Sequence, residues 1–431
     1  MNNKIKLAVA GAVLSAASIA NAGIIIPAGD WTVDINGNVN AFANWTSSDK
    51  AKGATFLGNL ASGEDGTGEG SQVGINTGLL PSWLGFTGTT RQNDVDVSFT
   101  ISFQPNASDN AAAGDVKTPL NRQAFVTFGD KSWGSVKLGK DLGIFAGQAI
   151  LNDMTLLGVG AGANTSGGST TLGGIGSGYI YPAWKGQITY TTPNMNGFTA
   201  TIGITNPNQG QFGDGNATVA AAVGSAASTV ATELYQDRFG IEGQLQYEWT
   251  GDVAGKVWAS GATYDVTAGA DPGTSGAAGA VSTTSANDDN YTASVYDIGV
   301  ALNTGNLGLV GYYYNGEGVG TTLLGYLGVQ NSAVGKLKKR DSDGGYIQAT
   351  YVIPTGTKLG VAYGVSNLDE ASGETATALV EKNDRWTVGA YHPLTKHLNL
   401  VAEYNKIESE GHAAGQNMES DTFSLGAILF F

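Results

Sequence analysis

The sequence predicts an all-β fold, a transmembrane antiparallel β-barrel of sixteen strands, and three observations carry that expectation. Apolar and polar residues alternate strictly over segments of about ten residues, the tilted span of an outer membrane and longer than an average globular strand. The connections alternate too, with a long Gly, Ala, Ser and Asn-rich segment after each odd strand and a tight turn after each even one. The last segment, Thr422 to Phe431, places Phe423, Leu425, Ala427, Leu429 and Phe431 on one face and ends on an aromatic.

Composition narrows the class before any element is placed. The 431 residues include 22 Lys+Arg, 37 Asp+Glu, 65 Gly and no Cys, with a formal charge of -15. Disulfide scaffolds and thiolate metal sites are thereby excluded. Charged residues at 14% are too few for an ordinary soluble surface, and a mean hydropathy of -0.07 is too low for a helical membrane protein. A pI near 4.5 would repel phosphate, so nucleic acid is not expected as a partner.

The first element is a secretory signal peptide over residues 1–22. Lys4 and Lys6 precede an apolar stretch from Leu7 to Ala20, and Ala20-Asn21-Ala22 has the small residues a signal peptidase needs. That stretch is too short for a membrane anchor, which needs roughly 20 apolar residues. Residues 23–431 are expected to form the barrel.

From Trp31 the odd positions read Trp31, Val33, Ile35, Gly37, Val39, Ala41, Ala43, Trp45, against Thr32, Asp34, Asn36, Asn38, Asn40 and Asn44. Only a strand puts those two sets on opposite faces. Val95, Val97, Phe99, Ile101 and Phe103 repeat the pattern, as do Phe239, Ile241, Leu245, Tyr247 and Trp249. Strands are expected at 31–45, 80–88, 94–104, 121–129, 133–140, 185–192, 197–205 and 236–249, then at 255–266, 291–303, 306–315, 344–353, 357–366, 383–391, 397–408 and 420–431. Tight turns at Thr89 to Asn93, Asp130 to Ser132, Pro193 to Asn196, Thr304-Gly305, Pro354 to Gly356 and His392 to Lys396 place both termini in the periplasm. The facing of Tyr312, Tyr313 and Tyr314 stays open. Closure is forced, because lipid cannot hydrogen-bond an open sheet edge.

A sixteen-stranded barrel is wide enough to hold water. Its polar inner faces then imply passive diffusion of ions and small hydrophilic solutes. Alternation turns Asp34, Asp94, Asp96, Glu242, Glu248 and Asp297 toward the lumen, against Arg238, Lys137, Lys358 and Arg385. Mild cation selectivity is the expectation, since lining charge concentrates counter-ions. The competing expectation is a channel selective for a sugar or small anion, with Trp258 and Tyr264 as members of an aromatic track. Trp31, Trp45, Tyr247, Trp249, Tyr351, Tyr363, Trp386 and Tyr404 are candidates for interfacial girdles.

Several short motifs bear a family resemblance. Ser82-Trp83-Leu84-Gly85-Phe86-Thr87-Gly88, Asn121-Arg122-Gln123-Ala124-Phe125-Val126, Gly134-Ser135-Val136-Lys137-Leu138-Gly139-Lys140, and Tyr190-Thr191-Thr192-Pro193 with Gly197-Phe198 resemble, in order and spacing, the general trimeric porins of Gram-negative outer membranes. The resemblance implies an outer-membrane homotrimer among lipids and lipopolysaccharide, and a terminal Phe431 read as a signal by the barrel assembly machinery. It also implies a third loop, 141–184, folded into the barrel to narrow the pore. Asp153 and Asp141 would then supply the acidic side of the constriction, with Arg122, Lys140 and Lys137 as the basic wall. Trp83 and Thr189 stand where that family commonly has arginines.

Other signals are weaker. Gly173 to Gly178 lacks the strand and helix of a phosphate-binding loop and reads as mobile loop. The run Lys336, Lys338, Lys339, Arg340 reads as a solvated external loop. His392, His397 and His412 form no zinc pattern, and no enzyme, cofactor or metal is expected.

Overall fold

The computed structural model describes residues 23–49, 56–62, 70–107, 120–163, 170–206, 232–235, 238–270, 289–331, 337–376 and 378–431. The expected signal peptide lies outside them. Sixteen antiparallel strands form the barrel. They are β1 (Trp31–Ser48), β2 (Trp83–Gln92), β3 (Val95–Gln104), β4 (Leu120–Asp130), β5 (Gly134–Leu142), β6 (Trp184–Thr191), β7 (Phe198–Thr205) and β8 (Gly240–Trp249). The second half comprises β9 (Val253–Ala270), β10 (Asp289–Thr304), β11 (Leu307–Glu317), β12 (Asp341–Val352), β13 (Lys358–Leu368), β14 (Val380–Pro393), β15 (Leu398–Gly411) and β16 (Asn417–Phe430). Each pairs with the next, and β1 closes the ring by pairing Asn38–Ser48 with Phe430–Ser420 of β16. Short strands at Ile24–Ala28 and Ser71–Asn76 extend β1, Thr232–Tyr235 adds to β9, and Val329–Asn331 pairs with Leu337–Lys339.

The register turns alternation into two surfaces. Phe99, Val126, Leu138, Ile188, Ile204 and Ile241 pair side by side across β3 to β8 in one outward row. Ser98, Thr127, Lys137, Thr189, Gly203 and Glu242 form an inward row along the same strands. Cross-strand partners share a face, so one polar row and one apolar row follow from the period of two. Tyr312 and Tyr314 are buried inside while Tyr313 is exposed outside, which resolves the triple tyrosine.

The girdles also acquire a depth. Trp45 stacks on Phe423 and Tyr363 packs on Trp386 in the loop-side half of the barrel, while Tyr247 stacks on Trp249 near the turns. Beyond the loop-side belt the outward face becomes ionic, with Lys406 bridging Glu408 and Glu419, and Lys382 bridging Asp384 and Glu410. Aromatic rings followed at once by charge mark where hydrocarbon gives way to headgroups.

Several strand boundaries differ from expectation. β2 starts at Trp83 rather than at 80, because Pro81 has no N–H to give a ladder and its carbonyl is taken by Asn38 Nδ2. β2 then runs on to Gln92, and the turn is Asn93-Asp94, both left-handed at φ 49° and 62°, a two-residue hairpin turn of mirror type. β15 and β16 run longer than expected, so the eighth loop shrinks to His412–Gln416.

Candidate pore constriction

The third loop, between β5 and β6, turns into the barrel. Its described residues fold as a short helix α1 (Gly147–Asn152), a 3-10 turn at Met154–Leu157, and a glycine-rich return limb. Phe145, Ala149, Ile150, Val159, Tyr179 and Ile180 are buried against the wall. A non-helical loop in that position exposes backbone N–H groups that need acceptors, and a buried orphan costs about 1–3 kcal/mol.

The wall supplies those acceptors as carboxylates. Glu242 of β8 accepts from Ile144 N at 2.8 Å and Phe145 N at 3.0 Å, and is paired with Lys185 Nζ at 2.6 Å. Asp297 of β10 accepts from Ala146 N at 3.1 Å while Ser260 and the Tyr312 hydroxyl fill its other positions. Glu403 of β15 accepts from Val159 N at 2.9 Å, Gly160 N at 3.0 Å and the Tyr391 hydroxyl at 2.6 Å. Gln348 of β12 accepts from Met154 N and donates to the Asn152 carbonyl. Four strands therefore hold the loop by its own backbone. Gly158 packs directly against this carboxylate, since a Cβ there would lie 1.9 Å from Glu403 Oε1 and would displace it from its anchoring position.

Asp153 was expected to face the lumen, and the structure places it elsewhere. It is 4% exposed; Oδ1 accepts from Thr155 N, and Oδ2 accepts from Gly174 N at 3.0 Å and the Tyr179 hydroxyl at 2.9 Å, with Arg385 Nη2 at 3.7 Å. Burial first, then the Asp153 charge, pushes the Tyr179 phenol well above its ordinary range, so it stays a donor. The segment Gly173 to Gly178, expected as mobile loop, is instead the buried limb that wraps this ion pair, with Gly174 N donating to it.

Trp258, Tyr312, Tyr346 and Tyr179 form a chain of rings with centroids 5.7–6.5 Å apart. Trp258 and Tyr264 were candidates for a solute track. Both are buried, and the Tyr346 hydroxyl donates to the Ala149 carbonyl, so the rings are the bed on which the loop rests.

The remaining expected residues scatter. Asp141 is buried on the inner wall, held by Lys137 and by Gln123 Nε2, and Lys137 also lies 5.0 Å over the Phe125 ring. Lys140 pairs with Ala124 and Gly186 in the outward row, so parity takes it off the pore wall. Asp94 sits exposed in its turn rather than in the lumen. Asp34 lies half-buried against Gly23, Asp96 bridges Arg91 near the short turns, and Glu248 accepts from Gln246 close to the same end. Arg238 is exposed and pairs with Asp265. Phe431 exchanges two backbone hydrogen bonds with Gly37, which anchors the end of the ring. The external basic run is internally engaged, Lys338 with the Ser372 carbonyl, Lys339 with Glu317 and Arg340 with Glu374; Lys336 lies outside the described residues.

Arg122 reaches the inner side of the wall against its parity. Ser102 pairs with Gln123 and Phe103 with Asn121, so Arg122 is the extra residue of a β-bulge. Strict alternation would send it into lipid between Leu120 and Ala124. The bulge re-aims it into a cavity of about 130 Å³ between the wall, the first loop and the third loop. Lys185, Glu403 and Gln348 were missed by sequence reasoning, although Glu403 shares parity with inward Asn405 and Ser409.

A family model described as Gram-negative porin matches residues 7–412. Among curated proteins none matches. Similar solved structures include the outer membrane channel DcaP of Acinetobacter baumannii, at 15% identity and TM-score 0.65, covering 95% of this chain and 100% of that one. The anion-selective porin from Comamonas acidovorans shares 16% identity at TM-score 0.57, over 93% of this chain and 100% of that one. The trimer form of in-vitro folded OmpT from Vibrio cholerae shares 16% identity at TM-score 0.53, over 93% and 99%.

Proposed function

The chain belongs to the Gram-negative porin family and is an integral outer-membrane β-barrel channel, and from that premise we propose that it passes ions and small hydrophilic solutes by passive diffusion with mild cation selectivity. The observation that carries the reading is the third loop fastened inside the barrel by Glu242, Asp297, Gln348 and Glu403. A wall-anchored loop sets a fixed size limit, because Ile144 N, Phe145 N, Ala146 N, Met154 N, Val159 N and Gly160 N are all held by wall side chains. The inner rows of β1 to β3 offer Asn36, Thr87 and Thr100, neutral groups that replace water hydrogen bonds without trapping a solute.

Glu242 is neutralised by Lys185, and Asp297 and Glu403 are buried under neutral donors, so selectivity falls to the acids nearer the periplasmic mouth, Asp34, Asp96 and Glu248, with Arg91 as the opposing cation. Their influence fades within about 8–10 Å at physiological salt, which keeps the preference mild. Zero-current potentials in a KCl gradient across planar bilayers test it, and a potential favouring chloride rejects it. Arg122 supports the second reading, a channel preferring a small anion. One solved neighbour is described as an anion-selective porin.

Maturation and assembly complete the proposal. Cleavage after Ala22 would place the new ammonium of Gly23 beside Asp34, whose Oδ1 is buried with no hydrogen-bond partner. Phe431 would serve as the assembly signal, and the protein would trimerise among lipopolysaccharide, as the trimer form described for OmpT suggests.

A further inference from the structure

The Arg122 cavity has an unusual lining for a polar passage. Leu80, Ile150, Leu151, Leu156, Leu172 and Ile175 are among the residues that line it, from three separate parts of the chain. A hydrated inorganic ion entering it would lose water and gain little, since apolar walls return no hydrogen bonds. Yet one wall carries a guanidinium. Among the described residues no carboxylate pairs with it: Asp141 is taken by Lys137 and Gln123, and Asp153 lies with Arg385. The backbone N–H of Arg122 is already bonded to Gln104 Oε1, so the bulge is stable without help from the side chain.

A guanidinium with no carboxylate partner among the described residues presents two parallel N–H donors that match a carboxylate. A greasy chamber of about 130 Å³ beside it matches a ring or a short branched alkyl group, for an apolar cavity of about 150 Å³ admits benzene. We propose that the channel holds, at Arg122, an amphipathic monocarboxylate, an aromatic or branched aliphatic acid whose apolar part fills the leucine and isoleucine chamber. The proposal rests on the channel reading and deepens it by naming a solute class. It coexists with mild cation selectivity, since inorganic ions report the charged mouth whereas this site demands both an anion and an apolar body.

The test is a planar-bilayer recording of the mature protein in KCl, with sodium benzoate added to one side. Acetate and benzyl alcohol serve as the charge-only and ring-only controls. Wild type should show saturable, reversible block by benzoate, about tenfold or more stronger than by acetate, with no block by benzyl alcohol. Arg122→Gln should keep an open channel and lose at least tenfold in benzoate affinity, while Arg122→Lys, which keeps charge without the planar fork, should fall between. Equal block by benzoate and acetate, or block unaltered in Arg122→Gln, overturns the proposal while the channel stands. If Arg122→Gln does not fold, the wild-type comparison of the three solutes still decides. Absence of any conductance before solute is added refutes the channel reading, and the proposal falls with it.

Discussion

Removing the Glu403 carboxylate isolates the role of the wall acids. Glu403→Ala deletes four hydrogen bonds to a carboxylate, from Val159 N, Gly160 N, the Tyr391 hydroxyl and, at 3.4 Å, Asn405 Nδ2. Hydrogen bonds to charged groups contribute about 1.5–3 kcal/mol each, and the two backbone donors left behind are buried. The two loop donors put roughly 3–6 kcal/mol of local attachment at stake, reduced wherever water reaches the vacated space. The first limb keeps its anchors on Glu242, Asp297 and Gln348, so the expected lesion is release of the Gly158–Gly160 turn rather than of the whole loop. The barrel ladder between β14, β15 and β16 does not pass through this side chain, and the thermal unfolding of the barrel should change little. Single-channel recording should show a raised unitary conductance with added open-state noise, and Glu403→Gln, which retains one acceptor, should lie between it and wild type. If Glu403→Ala has wild-type conductance, wild-type noise and an unchanged rate of proteolysis at the loop, the carboxylate is not an anchor and the reasoning fails.

Gly158→Val should give the same channel phenotype from the opposite side, because its Cβ would lie 1.9 Å from Glu403 Oε1; wild-type noise would contradict it. Asp153→Asn should leave the potassium-to-chloride ratio unchanged while loosening the loop, measured as faster proteolysis, since that carboxylate is buried with Arg385; a shifted reversal potential would restore it to the pore lining. Glu374, in the external loop after β13, is raised by burial, but hydrogen bonds from Arg340 and from Ala371 N outweigh this and hold it below its ordinary value. Its folded pKa lies under the unfolded value of about 4.3, so its contribution is present above that pH and is lost as pH falls below it. A spin label introduced by Ser372→Cys should therefore gain mobility at pH 3 relative to pH 7, and Arg340→Leu should abolish the difference. Mass spectrometry of protein recovered from the outer membrane should find Gly23 at its start.

The barrel was legible in the sequence because each strand records its own environment. Lipid outside and water or polar backbone inside leave a period of two that needs no knowledge of the neighbours, and the same parity assigns Glu242 and Asp297 to the inner wall. What those acids do there could not be read, since the partners of Glu403 are backbone N–H groups more than 240 residues away in a loop with no repeating pattern. Asp153 looked like a free acid for the same reason, its arginine lying on β14. Arg122 shows the limit most clearly. Period-two reasoning points it into lipid, and only the pairing of Ser102 with Gln123 and Phe103 with Asn121 reveals the bulge that turns it inward. Alternation is a local consequence of solvent on either side of one strand; register, bulges and the contacts of a folded-in loop depend on which distant segments come to lie against it, and those were decided in three dimensions.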